Sequence, residues 1–484
     1  MRQLLLIHGA LGNSTEFDTI RAVLEKRYNV FAYDLPGHGK RVTELNNFTL
    51  EDARNDLEAY IDKLGEVFIF GFSLGGYLAL DAALRKNKNI LGIVTLGTKL
   101  NWSPEIAEAE VNTLNIDFLK NKAASFYDYF EQLHGTHLND LLAKTRTFIH
   151  SIGEQPLMND KSTQQLTTPI RITRGGKDKM VTREESQKMA ECSSNGLYFE
   201  IPSFIHPMGF LSPKLFANHA VHQLKSLEYE HLATQHGKLA YVKIGATTDS
   251  STPLLLFLHE ALGSIDQWKD FPSLLAEELE LPAIVLEMIG YGYSDDLQHE
   301  RTVRYLHEYA WEVLPSFLDQ LDVKNKLILV GHSDGGTEAL LYASRFPNRI
   351  AGIITLAAHI ENESETKAGI PPAISAFEEG KLRGLEIFHG AKTENVFRRW
   401  ADTWLSHPFS DWSIEKDLSQ SPFPALIIQG YEDQYGTPNQ VRKIVTTLGK
   451  NATPMFLNNC GHAPHLEQSK EVIQQIKLWY TQFN

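Results

Sequence analysis

The pattern Gly-x-Ser-x-Gly-Gly occurs twice in this chain of 484 residues, as Gly71-Phe72-Ser73-Leu74-Gly75-Gly76 and as Gly331-His332-Ser333-Asp334-Gly335-Gly336. Each copy follows a short apolar run, Val67-Phe68-Ile69-Phe70 or Leu327-Ile328-Leu329-Val330. Each precedes a segment, Tyr77 to Leu84 or Thr337 to Ala343, whose apolar positions are dense enough for a helix packed on a sheet. The reading is strand, sharp turn, helix. Glycines relieve clashes at such a turn and leave the serine on an exposed, strained corner where its hydroxyl reaches a substrate.

Other landmarks recur at a nearly constant offset, as an internal duplication requires. His8-Gly9-Ala10-Leu11-Gly12 matches His259-Glu260-Ala261-Leu262-Gly263, and Asp34-Leu35-Pro36-Gly37-His38-Gly39 matches Glu287-Met288-Ile289-Gly290-Tyr291-Gly292. Two domains are also what this length implies. The join falls near residue 226, giving domains 1–226 and 227–484. Strand-like and helix-like segments alternate in each half, for example Asn29 to Tyr33, Leu50 to Leu64, Val67 to Phe70 and Leu91 to Leu96. This predicts an α/β class with a mostly parallel sheet flanked by helices, and ligand loops at the carboxyl ends of strands. The alternation breaks into helical insertions, expected as lids, at about 99–165 and 360–421. Ser103-Pro104-Glu105 opens one with a cap and a first-turn proline. Their aromatics, Phe126, Tyr127, Tyr129 and Phe130, then Phe388, Phe397, Trp400, Trp404 and Trp412, are expected mainly to pack each lid on its own core. The second half owns a strand over Leu239 to Ile244 and a polar turn over Thr247 to Thr252 that the first half lacks. No Gly/Ser- or Pro-rich linker joins the halves, which implies a short tether and a fixed contact between them.

Net charge is −14, with 46 Lys and Arg against 60 Asp and Glu; residues 1–226 carry 25 against 26, so 21 against 34 remain for the second half. This acidity offers no footprint for nucleic acid or an anionic membrane. The two cysteines, Cys192 and Cys460, form no metal motif or disulfide framework. The amino-terminal apolar run is shorter than a secretory core and no segment reaches transmembrane length, so a cytoplasmic protein without membrane insertion is expected.

A serine hydroxyl needs a base to take its proton, and a carboxylate to hold that base in the right tautomer. In the first half the segment Ile170 to Gly176 runs as a strand into Asp178, and His206 follows 28 residues later; in the second, Ala425 to Gly430 leads to Asp433, and His462 follows after 29. His465 is the rival base there. The order Ser, Asp, His, the serine elbow and the loop after the early strand resemble the α/β-hydrolase superfamily, over almost the whole chain and twice. That resemblance implies two tandem hydrolase domains with triads Ser73, Asp178, His206 and Ser333, Asp433, His462. The oxyanion donors would be the backbone amides of Ala10 and Leu74, and of Ala261 and Asp334. Glu260 departs from the usual His-Gly and sets a carboxylate beside the developing oxyanion. Asp334 is expected to suit the helix dipole.

The implied activity is cleavage of a carboxylic ester, thioester or related acyl bond of a small molecule through acyl-enzyme intermediates, without metal or organic cofactor. Carbon–carbon hydrolysis is the second class, with a lyase like the menaquinone-pathway synthase beside it, which the first half resembles in His8-Gly9-Ala10 and Leu35 to Gly39. Arg146, Arg398 or Arg399 would then hold a substrate carboxylate. The third class is one non-catalytic half. Families with an elbow aspartate, haloalkane dehalogenases and epoxide hydrolases, do not fit Ser73 and Ser333.

Overall fold

The computed structural model describes residues 1–246 and 250–483. Residues 247–249 of the expected polar turn lie outside the described residues. The chain divides into two compact units, Met1–Glu228 and Tyr229–Asn484.

In the first unit six parallel strands, β1 (Arg2–Ile7), β2 (Tyr28–Tyr33), β3 (Val67–Phe72), β4 (Ile90–Leu96), β5 (Ile170–Gly175) and β6 (Gly196–Ile201), run in the order β2-β1-β3-β4-β5-β6. β3 and β5 are buried along their full length. Helices on both faces of a parallel sheet bury it so, and β3 meets this with an apolar run while β5 also carries the buried Arg171, Thr173 and Arg174. From β1 the chain steps outward to β2, then crosses back to β3 on the other side of β1. This reversal opens a crevice outside the carboxyl ends of β1 and β3. His8 to Gly12 leave β1 at one side of it, and the helix Leu74–Leu84 leaves β3 at the other.

The second unit repeats this core with β9 (Leu254–Leu258), β10 (Ala283–Leu286), β11 (Leu327–His332), β12 (Ile350–Leu356), β13 (Ala425–Gly430) and β14 (Ala452–Leu457), after a hairpin of β7 (Glu230–Thr234) and β8 (Gly237–Ile244). The order is β14-β13-β12-β11-β9-β10-β8-β7, antiparallel only at β7–β8 and β8–β10. β7 escapes the sequence reading because Glu230-His231-Leu232-Ala233-Thr234 is a short, polar edge strand with little apolar signal. Each unit has its own apolar core.

Between β4 and β5 stand the helices Pro104–Thr113, Ile116–Lys122, Ala124–His134 and Leu138–Glu154. Ser103 caps the first through its side chain, with Pro104 in the first turn. Between β12 and β13 stand Ser364–Glu378, Glu386–His389 and Thr393–Leu405. Phe397, Trp400 and Trp404 are buried in the core, as lid-packing aromatics should be.

The elbow serines sit in the left-handed region, Ser73 at φ 49°, ψ −117° and Ser333 at φ 50°, ψ −116°. A side-chain-bearing residue adopts that backbone only where packing enforces it. The enforcement is visible: a Cβ on Gly75 would strike the Ile7 and His8 carbonyls, and one on Gly335 those of Leu258 and His259. In a helix interior Gly→Ala ordinarily stabilises by about 0.5–1 kcal/mol. Here the sign should reverse. Gly75→Ala and Gly335→Ala should each destabilise their unit by about 1–3 kcal/mol through overpacking. Gly384→Ala, where nothing lies within 4 Å, should stay within about 0.5 kcal/mol. Urea denaturation of the full chain measures all three.

Candidate active sites

Two short loops after β5 and β6 bring an aspartate and a histidine together in the first unit. The amides of Met180 and Val181 donate to Asp178 Oδ1 at 2.8 and 3.1 Å, and His206 Nδ1 lies 2.9 Å from Asp178 Oδ2. In the second, the Tyr435 amide donates to Asp433 Oδ1 at 2.8 Å, the Gln429 amide nitrogen to Oδ2 at 3.2 Å, and His462 Nδ1 is 2.9 Å from both oxygens. Burial alone would raise both carboxyls, but the facing histidine and the donated amides outweigh it and hold each below the ordinary aspartate range. An ionised carboxylate at Nδ1 fixes the tautomer and leaves Nε2 free to act as a base.

The residue before each serine packs on that histidine, Phe72 against His206 with ring centroids 5.3 Å apart and His332 against His462 at 5.1 Å. Neither serine hydroxyl is hydrogen-bonded to its imidazole among the described residues. Such bonds commonly tighten only when substrate is present. His465 stands apart from Asp433, packed on Trp268 and His332 at 4.7 and 4.6 Å.

The backbone amides beside each serine are equally regular. Leu74 and Asp334 open their helices, so their amides have no partner four residues back. The amides of Ala10 and Ala261 have no hydrogen-bond partner among the described residues. Gly12 N–H to Gly9 O at 3.1 Å and Gly263 N–H to Glu260 O at 2.8 Å close the turn around each alanine. Ala10 and Leu74, and Ala261 and Asp334, thus stand at the strand ends that flank the topological switch point of each unit. No group of three or more His, Cys, Asp or Glu among the described residues is arranged to hold a metal ion.

A family model described as alpha/beta hydrolase fold matches residues 3–216 and 253–380. The chain belongs to the α/β-hydrolase fold family. Among curated proteins it is 28% identical over 277 residues to the biotin biosynthesis bifunctional protein BioHC of Teredinibacter turnerae, covering 49% of this chain and 46% of that one. It is 22% identical over 240 residues to a pimeloyl-[acyl-carrier protein] methyl ester esterase of Shewanella woodyi, covering 44% and 89%. It is 34% identical over 107 residues to a putative 2-succinyl-6-hydroxy-2,4-cyclohexadiene-1-carboxylate synthase of Haemophilus influenzae, covering 21% and 42%. A solved thermophilic esterase from Thermogutta terrifontis is similar at 20% identity and a TM-score of 0.42, covering 53% of this chain and 98% of that one.

The two α/β-hydrolase units differ in charge immediately around the elbow. In the first, Gly9 is pressed on Phe72, whose ring would stand 3.1 Å from an added Cβ. In the second both positions change together: Glu260 Oε2 lies 3.1 Å from His332 Nδ1, and His332 Nε2 lies 2.7 Å from the His462 carbonyl. The carboxylate therefore turns toward an imidazole rather than standing alone beside the oxyanion site. Burial would raise Glu260, but the hydrogen bond and charge of His332 prevail and hold it well below the usual glutamate range.

Asp334 stands in the first turn of its helix, as expected, and is also buried. Its carboxyl is buried, accepts from Tyr305 Oη at 2.6 Å, and is pushed up to about 6, chiefly by burial. Arg301 lies over the Tyr305 ring at 4.3 Å and donates to Tyr291 Oη at 2.6 Å, so its charge sits within the same cluster. Two of the lid arginines are engaged elsewhere, Arg398 with Glu378 at 3.0 Å and Arg399 with Asp296 at 2.8 Å, and Arg146 is exposed.

His462 feels all of this. Burial lowers it, but Asp433, Glu260 and Asp334 together keep it above its ordinary 6.5. Negative charge favours the imidazolium, so Glu260→Gln should move the His462 titration midpoint down. Imidazole NMR of the full chain measures it; an unmoved midpoint contradicts this electrostatic account.

Proposed function

We propose that the chain is a tandem serine hydrolase that cleaves carboxylic ester, thioester or related acyl bonds, with Ser73, His206, Asp178 forming one triad and Ser333, His462, Asp433 the other. The observation that carries the reading is the coincidence, in both units, of a serine at φ near 50° with a hydrogen-bonded Asp–His pair and unpartnered amides around one crevice. Histidine takes the hydroxyl proton as Oγ attacks the acyl carbon, and the aspartate stabilises the imidazolium that forms. The amides of Ala10 and Leu74, or Ala261 and Asp334, receive the oxyanion. Histidine then returns the proton to the leaving group, and water releases the acyl product by the same steps.

The esterase name of one relative supports ester substrates, and its mention of an acyl-carrier protein adds thioester-linked acyl chains to the substrates worth screening. Carbon–carbon hydrolysis remains the second reading, supported by the name of a 2-hydroxy-6-oxo-2,4-heptadienoate hydrolase of Pseudomonas putida, 21% identical over 249 residues. The lyase reading needs an arginine for the substrate carboxylate. The ion pairs of Arg398 and Arg399 count against those two for that task.

A fluorophosphonate probe should add to Ser73 and to Ser333, read by intact mass on the wild type, Ser73→Ala and Ser333→Ala. Loss of one adduct in each single variant is expected, and one adduct at most on the wild type would sink the two-site reading. Asp178→Asn should slow labelling at Ser73 by about 10⁴-fold through the wrong histidine tautomer, and leave Ser333 unaffected.

A further inference from the structure

In both units a histidine at the end of a lid helix reaches down to the loop beside the nucleophile. His134 ends the helix Ala124–His134, and its Nε2 lies 2.8 Å from the Leu11 carbonyl. His389 ends the helix Glu386–His389, and its Nε2 lies 3.0 Å from the Leu262 carbonyl. A carbonyl only accepts, so Nε2–H is the donor in each. In the second unit the tautomer is fixed from the other side, because the Gly292 amide donates to His389 Nδ1 at 3.3 Å.

The following glycine matches as well, Gly135 at φ 55°, ψ −131° and Gly390 at φ 54°, ψ −130°. That region favours glycine, and it turns each helix end so the ring points at the loop. The lids otherwise share little: three helices of ten or more residues stand in one and two in the other. One bond, reproduced twice on dissimilar lids, is a built feature.

Leu11 and Leu262 directly follow Ala10 and Ala261. Their carbonyls belong to the turn closed by Gly12 N–H and Gly263 N–H, and the amide two peptide groups back is the unpartnered one. A rotation of the turn that re-aims the alanine amide also swings the tethered carbonyl away from its histidine. We propose that His134 and His389 are positioning residues that couple lid seating to the oxyanion loop, so that the alanine amide is aimed at the reacting oxygen only while the lid is closed. The inference rests on the reading of Ser73 and Ser333 as nucleophiles for its catalytic consequence, but not for the tether itself.

The test uses the full chain with His134→Ala, His134→Gln, His389→Ala and His389→Gln, the glutamine keeping an N–H donor. Two readouts are taken: hydrogen exchange in peptides spanning residues 8–17 and 259–268, and the rate constant against the apparent affinity of fluorophosphonate labelling. Expected for His134→Ala are faster exchange in 8–17, unchanged exchange in the Pro104–Thr113 helix, and at least a tenfold slower labelling step at Ser73 with affinity within twofold. Loss of one oxyanion donor costs about 10²–10³ in rate, so a misaimed donor should cost a fraction of that. Ser333 should be untouched, glutamine should restore most of the rate, and the His389 variants should mirror this pattern in the second unit.

Unchanged exchange in the loop overturns the tether whatever the labelling does. Faster exchange with an unchanged labelling rate overturns its coupling to the oxyanion site. Alanine and glutamine variants that melt the lid alike overturn it too, as a purely structural contact. Failure of the wild type to label sinks the proposed function, and the tether is then judged by exchange alone.

Discussion

Everything in these two sites depends on one close approach: the helix after the elbow serine runs so near the end of the neighbouring strand, β1 or β9, that Gly75 rides on the Ile7 carbonyl, and Gly335 on that of Leu258. The pairing of Gly71 with Ile7, and of Gly331 with Leu258, sets elbow and strand end at one level of the sheet. With the helix held there, the serine has no relaxed backbone open to it and is forced to φ near 50°. The strain of such a residue, about 1–3 kcal/mol, is borne by the surrounding core. The two alanine amides, the opening helix amides and the Asp–His pair all leave the carboxyl ends of parallel strands of one sheet in each unit, with β4 or β12 between the serine strand and the aspartate strand.

On this shared frame the units have diverged electrostatically. The first surrounds its elbow with Gly9, Phe72 and Leu74; the second places Glu260, His332 and Asp334 at the same positions. These are coordinated changes. A carboxylate at 260 has an imidazole at 332 to meet it, and a carboxyl at 334 has the Tyr305 hydroxyl and the charge of Arg301 nearby. Buried charge that lacks partners is expensive, so such sets arise together or not at all. Their consequence is a histidine, His462, set to hold its proton more firmly than an isolated imidazole. The second crevice therefore has an electrostatic field of its own.

Much of this is legible in the sequence because the chain carries its own comparison. The duplication located the strands before each serine, the switch-point loop and the Asp and His that form hydrogen-bonded pairs, since each landmark recurs at nearly one offset. Contacts made by side chains across long separations were not legible. Glu260 reads as a threat to an oxyanion until His332 is seen to face it, and the burial of Asp334 is not visible from its place in the first helical turn. His134-Gly135 and His389-Gly390 lie 255 residues apart, the offset of Asp178 and Asp433, so the repeat itself held a signal for the lid histidines. Helical insertions show no strand pattern to align them, which masks that signal. β7 was lost for a related reason, being a polar edge strand.

Two self-sufficient nucleophile sites on one chain is the central claim, and counting acyl-enzymes as they form tests it most directly. Rapid mixing of the full chain with a p-nitrophenyl ester that deacylates slowly should release a burst of two equivalents of p-nitrophenolate per chain, falling to one in Ser73→Ala and in Ser333→Ala. A burst of one equivalent or less from the wild type, under saturating ester, would contradict the account.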